Sequence, residues 1–346
     1  MRDLRSKWFL AATAALTLLP LTVAACGGDD DDDTAATATT AAATTAAASA
    51  TNAAPASAYP VKVTDLLGRS VEIKAKPVTI VAISPTAVEY VYAVGGTVVG
   101  RSQSVAFPEA AKQAKEVGTA YQPSFEAILA LKPDLIVADS VIHADPRLRG
   151  PIEGLGVTVI FAGAENFKQV IDGLTLMGKV LNAEGKAKEA VTAITKARDD
   201  AKAAIAAKPA SAVLLIAGRD QTLYSAKGTS YAGDVFTQLG VKNPAADGPD
   251  SGPGFPGYTT LAPEKLLEFN PDFIFTVTPA PEPAPRLSML VPQIPPFKGL
   301  KAVTGGTVIE LNLEVFLQAP GPRIAFAFQA IADAINGKPV SSVGPY

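Results

Sequence analysis

The sequence predicts an α/β protein of two Rossmann-like lobes, each a parallel-type sheet covered by helices, joined by one long α-helix. Three observations predict it. Strand and helix patterns alternate through the body. A 14-residue block at 124–137 recurs at 262–275 with a constant offset of 138, aligning Glu with Glu, Leu with Leu, Pro-Asp with Pro-Asp and Ile with Ile. Between the copies, 183–207 is rich in Ala, Lys and Glu, with Ala187, Val191, Ile194, Ala201 and Ile205 on a helical repeat.

Taken in order, the chain starts with a basic stretch (1–7) and an apolar run (8–25) that ends in the small residues Val23-Ala24-Ala25 before Cys26. This is a secretory signal, 1–25, and its end resembles the bacterial lipobox. That resemblance implies cleavage before Cys26 and diacylglycerol on its sulfur; an uncleaved signal anchor is the other reading. Residues 26–58 hold the run Asp29–Asp33 and an Ala/Thr/Ser tract without spaced large apolar residues, which predicts a disordered tether.

The N-terminal lobe is expected at 59–182. A buried-type strand at 78–83 is followed by Ser84-Pro85 as helix cap and first helical residue, a stripe of Val88, Val91 and Tyr92, and the stop Gly95. The linking helix is expected at 183–208. About 25 residues at 1.5 Å each reach roughly 38 Å, enough to bridge two lobes, although a surface helix of one lobe fits the pattern too. The C-terminal lobe, 209–346, opens with a strand at 212–217 and a helical stripe of Tyr231, Val235, Phe236 and Leu239 ended by Gly240. Each copy of the 138-offset block reads as a short helix, a Pro that ends it, and a strand.

Composition excludes several functions. The net charge of −3 belongs to the ends: residues 1–25 contribute +2 and the Asp run −5, so the body is near neutral, with no basic footprint for nucleic acid. One Cys and one His cannot build a zinc-type site. A catalytic triad would have to use His143, with no G-x-S-x-G elbow present; His143 reads instead as a loop or pocket-rim residue. Gly252 to Gly257 fits G-x-G-x-x-G but neither follows a clear strand nor opens a helix, so it is a loop. The Pro-rich insert 279–285 reads as a stiff surface excursion.

The segments Val63-Thr64-Asp65-Leu66-Leu67-Gly68-Arg69, Lys76 to Pro85, Leu129 to Asp134, Gly240-Val241-Lys242-Asn243, Phe269-Asn270-Pro271-Asp272 and Gly299 to Val303, in this order over some 270 residues, resemble the substrate-binding proteins of ABC importers. The resemblance is to the helical-backbone cluster that serves ferric siderophores, haem and cobalamin. It implies a ligand held between two lobes, with a ferric siderophore first and cobalamin or haem as the alternative. It also implies no catalysis, no resident cofactor or metal, a monomer, an ABC permease as partner, and an extracytoplasmic, lipid-anchored location at the cytoplasmic membrane. Matched residue by residue, it makes Glu126 and Glu264 the acids that dock on the permease; as bare sequence they are early-helix acids favoured by the helix dipole, and both readings hold together.

Loops at the carboxyl ends of strands should form the cleft. They offer Ser84, Arg101 and Tyr121 in the first lobe, and Arg219, Tyr224, Tyr231, Tyr258 and Phe316 in the second. Arg suits an anionic chelate and the aromatics offer flat apolar contact; the bland alternatives are surface arginines and core aromatics. Arg323, in Pro320-Gly321-Pro322-Arg323, reads as structural.

Overall fold

The computed structural model describes residues 58–218, 220–252 and 256–340. The signal, Cys26 and nearly all of the tether, as well as Arg219, lie outside the described residues. None of the described helices is long and apolar enough to cross a membrane.

A hairpin comes first, β1 (Val61–Thr64) with β2 (Ser70–Ile73), paired antiparallel. Asp65 builds its turn, accepting from the backbone N–H of Leu67 and Arg69 at 3.1 and 3.0 Å, while Gly68 takes the left-handed φ of +79° that the turn demands.

The N-terminal lobe runs β3 (Ile80–Ala82), α1 (Pro85–Ala93), β4 (Gly100–Arg101), β5 (Lys115–Glu116), α2 (Phe125–Ala130), β6 (Leu135–Ala138), α3 (Pro146–Glu153) and β7 (Val159–Phe161). Its sheet has the order β5-β4-β3-β6-β7 and every pair is parallel. Crossovers between parallel strands place helices on both faces, so β3 and β6 are buried at every position. The hairpin is clasped to the edge strand β7: Arg69 donates to Val159 O at 2.7 Å and its guanidinium lies 4.4 Å from the Phe161 ring centre.

Two helices follow, α4 (Phe167–Val180) and α5 (Glu184–Ile205). The 22 residues of α5 span about 33 Å. Ala187, Ile194, Ala201 and Ile205 form its buried stripe; Val191 is only half-buried.

The C-terminal lobe runs β8 (Ala212–Ala217), β9 (Leu223–Ala226), α6 (Tyr231–Leu239), β10 (Tyr258–Thr260), α7 (Pro263–Phe269), β11 (Phe273–Val277), α8 (Leu287–Leu290), α9 (Lys301–Thr304), β12 (Val308–Glu310) and α10 (Ile324–Ile335). Its sheet has the order β10-β9-β8-β11-β12. Here the parallel expectation needs correcting. β8, β11 and β12 are parallel, but β9 and β10 are antiparallel to their neighbours. Only a short turn separates β8 from β9, with Gly218 N–H donating to Thr222 O at 2.8 Å, and a turn that short closes a hairpin but cannot cross over to a parallel strand.

The 138-residue echo has a structural basis. Lys132 and Asn270 both sit at left-handed φ, +49° and +38°, and end α2 and α7. The Asp of each Pro-Asp then plays the same part, for Asp134 accepts from the N–H of Val78 and Thr79 at 2.9 and 3.1 Å, and Asp272 from the N–H and hydroxyl of Ser211 at 2.9 and 2.7 Å. Each carboxylate pins the start of the neighbouring central strand. The Ser211 bonds hold Asp272 below the usual carboxylate range.

One apolar cluster runs from α1 and α4 across α5 to α6 and α10, while the outer face of each sheet has its own. α5 packs on α4 on one side and on α10 on the other. The lobes therefore share their core along the linking helix.

Candidate functional site

Where β3 ends, Ser84 caps α1: its hydroxyl accepts from Ala87 N–H at 3.0 Å, and it is fully buried. Asp139, just past β6, accepts from Val141 and Ile142 N–H at 2.8 and 3.1 Å and lies 3.5 Å from the Ser84 hydroxyl. Burial pushes the Asp139 carboxyl up, against the pull of those backbone bonds.

His143 is a buried brace and has no exposed face. Its Nδ1 lies 2.8 Å from Asp139 O and its Nε2 3.0 Å from Ala120 O, tying the loop after β6 to the loop that carries Tyr121. Tyr121 itself is 64% exposed. A large aromatic side chain standing in solvent on a braced loop at the carboxyl edge of a sheet is suited to ligand contact.

The lobes meet just past the carboxyl ends of β3 and β12. Glu89, on α1, and Arg323, before α10, form an ion pair across the seam that is almost fully buried on both sides. Arg323 Nε and Nη2 both donate to Glu89 Oε1, at 2.9 and 2.6 Å; Nη2 also reaches Glu314 at 3.2 Å, and the Phe107 ring centre lies 4.5 Å from the guanidinium carbon. Burial lifts the Glu89 carboxyl to about 7, outweighing the stabilising Arg323. Thr86 Oγ1 is buried at this seam without a partner, while the Tyr231 hydroxyl meets the Gly321 backbone and the Glu89 carboxylate also meets the Arg323 backbone N–H. Arg323 is thus structural, as its sequence context suggests, and specifically it joins the lobes.

The remaining expected residues divide. Arg101 is spent on Glu116 at 3.0 Å and on the carbonyl of Ser102 at 3.1 Å, so it holds the β4–β5 edge. Tyr224, on β9, is half-buried and lies over Gly218 at the end of β8. Tyr231, Tyr258 and Phe316 are buried in the shared core, and burial pushes both tyrosine hydroxyls up. Their apolar rings were the reason to expect ligand contact, and the same rings are what the core takes up. Glu126 and Glu264 are exposed in the first turns of α2 and α7, and neither has an ion-pair partner among the described residues.

The pattern of the periplasmic binding protein family matches residues 80–314, two thirds of the chain. The chain belongs to the periplasmic binding protein family. It is 28% identical over 259 residues to the vitamin B12-binding protein of Salmonella choleraesuis (strain SC-B67), covering 74% of this chain and 90% of that one. It is 27% identical over 292 residues to the probable siderophore-binding lipoprotein YfiY of Bacillus subtilis (strain 168), covering 80% and 87%. The fold matches the siderophore binding protein BauB, solved with two molecules of acinetobactin and ferric iron, with a TM-score of 0.67 and 20% identity over 80% of this chain and 98% of that chain.

This family member carries site features that sequence reasoning passed over. Glu89 is the one charged residue in the helix Pro85–Ala93, which is buried over its first seven positions. Asp139 ends the apolar strand Leu135–Ala138. A lone charge in an apolar element is a legible sign of a buried pair, though it does not name the partner.

Proposed function

We propose that this periplasmic binding protein captures a ferric chelate between its lobes outside the cytoplasmic membrane, anchored through lipid on Cys26, and hands it to the permease of an ABC importer. The observation that carries the reading is the seam. Segments that follow β3 and β12 come together there through the Glu89–Arg323 pair, on the side where open α/β sheets place ligands. Likeness to a probable siderophore-binding lipoprotein supports the iron chelate, and likeness to a vitamin B12-binding protein supports cobalamin as the second reading. Exposed Tyr121 and half-buried Tyr224 are offered as ligand contacts, together with Arg219, which adjoins Gly218 in sequence. Binding without turnover is the expected behaviour, and no cofactor is needed for it.

Thermal unfolding against ferric catecholates, hydroxamates and carboxylates, haem and cobalamin tests this. A bound ligand at 100 times its dissociation constant adds about 2.7 kcal/mol of stability. No stabilisation by any of them refutes the reading. Glu126 and Glu264, one exposed acid on each lobe, are assigned to permease docking. Reversing both charges leaves ligand affinity intact and abolishes uptake; undiminished uptake refutes the docking role.

A further inference from the structure

Five positions are identical in the two copies of the 138-offset block: Glu126 and Glu264, Leu129 and Leu267, Pro133 and Pro271, Asp134 and Asp272, Ile136 and Ile274. The fold accounts for three of them. Each proline precedes the aspartate that pins a strand start, and each isoleucine is fully buried in its sheet. The other two have no such duty. Glu126 and Glu264 are exposed acids with no ion-pair partner among the described residues. Leu129 and Leu267 stand 45% and 40% exposed, and they are two of only seven large apolar side chains that the described residues leave so open to solvent.

Neither leucine serves the core. α2 and α7 each bury one side chain, Ile128 and Leu266. The next exposed position makes no demand for an apolar residue, being Ala130 in one copy and Glu268 in the other. A single exposed leucine is an ordinary surface feature. The same leucine at the same place in both lobes, beside the same unpaired acid, is a repeated one. Residues three apart on a helix are neighbours, with Cβ atoms about 5–6 Å apart. Each lobe therefore presents the same two-part patch, a free carboxylate next to an apolar side chain.

We propose that Leu129 and Leu267 are apolar anchors that seat the two lobes on the permease, in recesses beside the cations that receive Glu126 and Glu264. This rests on the reading of the chain as the binding protein of an ABC importer. The two halves of the patch do different work. Exposed charges act over a distance, steer the encounter and are screened by salt; an apolar side chain sealed from water at the centre of a contact governs how long the complex lasts.

The test compares wild type with L129S/L267S, L129M/L267M and, as a control at an exposed apolar residue outside the repeat, V78T. Each is assayed for melting temperature, for self-association by sedimentation, and for calorimetric affinity toward ferric citrate, ferric enterobactin, ferrichrome, haem and cyanocobalamin. Uptake of the same compounds, radiolabelled, is measured in cells whose own copy of the gene is replaced by each variant, at the lowest expression that supports full wild-type uptake. Less than half of each leucine remains to be covered, which corresponds to about 3- to 9-fold in docking affinity for each and about 10- to 80-fold for the pair. L129S/L267S is expected to lose about that much uptake of whichever compound the wild type carries, while binding it as tightly and melting no lower. L129M/L267M and V78T should match wild type. Uptake by L129S/L267S equal to wild type, or an equal loss in V78T, overturns the anchors and leaves the importer reading standing. A serine pair that melts lower or binds ligand more weakly makes the leucines structural, and wild-type self-association that the serine pair alone abolishes puts a second copy on the patch; both overturn the proposal. A wild type that neither binds nor carries any of the five compounds overturns the importer reading and the anchors with it.

Discussion

Replacing Arg323 with Met should destabilise the protein more than replacing Glu89 with Gln, and the gap should open with rising pH. The Arg323 side chain supplies two donors to Glu89, and both go to one oxygen. Without them a carboxylate that is 2% exposed keeps only the backbone N–H of position 323, and removing one partner of a buried pair costs about 3–5 kcal/mol. The converse is milder. With Gln at position 89, Arg323 still has Glu314 at 3.2 Å and the face of Phe107, so the loss is that of one charge-assisted contact, about 2 kcal/mol. The pH dependence has a definite sign. The folded-state value of about 7 stands above the ordinary 4.5, so the native protein holds a proton that the unfolded chain has released. The stability from this group is fully present below 4.5 and is lost as pH rises through 7, by about 3 kcal/mol in all. Urea unfolding at pH 5, 7 and 9 of the body from residue 58 onward measures it. In E89Q that slope should vanish. In R323M the carboxyl rises further, so the variant is nearly as stable as wild type at pH 5 and far weaker at pH 9. Equal losses in the two variants at pH 9, or an E89Q curve that keeps the wild-type slope between 4.5 and 7, would refute the account of the seam.

Asp134→Ala and Asp272→Ala should each cost about 1–3 kcal/mol in chemical unfolding, since each strips acceptors from a strand start, and the two losses should add because the clasps lie in different lobes. The Asp272 contribution should fade in acid, as its lowered carboxyl is protonated on the way down through its folded-state value. Gly173→Ala places a methyl about 2.5 Å from the buried Tyr90 ring and should lower stability by about 1–3 kcal/mol; an unchanged melting temperature would mean that α1 and α4 give way easily. His143→Phe leaves Ala120 O without its donor, so amide exchange around Tyr121 should speed up while the linking helix stays protected.

What could be read in the sequence was whatever is local or repeated. The linking helix shows in its composition and period, and the two lobes show in a block whose Pro-Asp makes the same clasp twice. Antiparallel β9 and β10 were not legible, because a strand reads the same in either direction and only the shortness of the 218–222 turn decides. The site was harder for a related reason. Tyr231, Tyr258 and Phe316 carry apolar rings that would serve a core or a ligand equally, and the sequence does not say which way a ring turns. Glu89 and Arg323 are 234 residues apart, so each shows only as a charge in apolar company.

The grip on α5 has a thermodynamic consequence. Held along its length by α4 on one side and α10 on the other, the helix leaves little backbone freedom to lose when a ligand arrives. Most of the ordering cost that a hinged receptor meets at each encounter has here been met once, during folding. The heat-capacity change of binding should then scale with the apolar surface of the ligand itself, carrying almost no contribution from protein surface newly buried by domain closure.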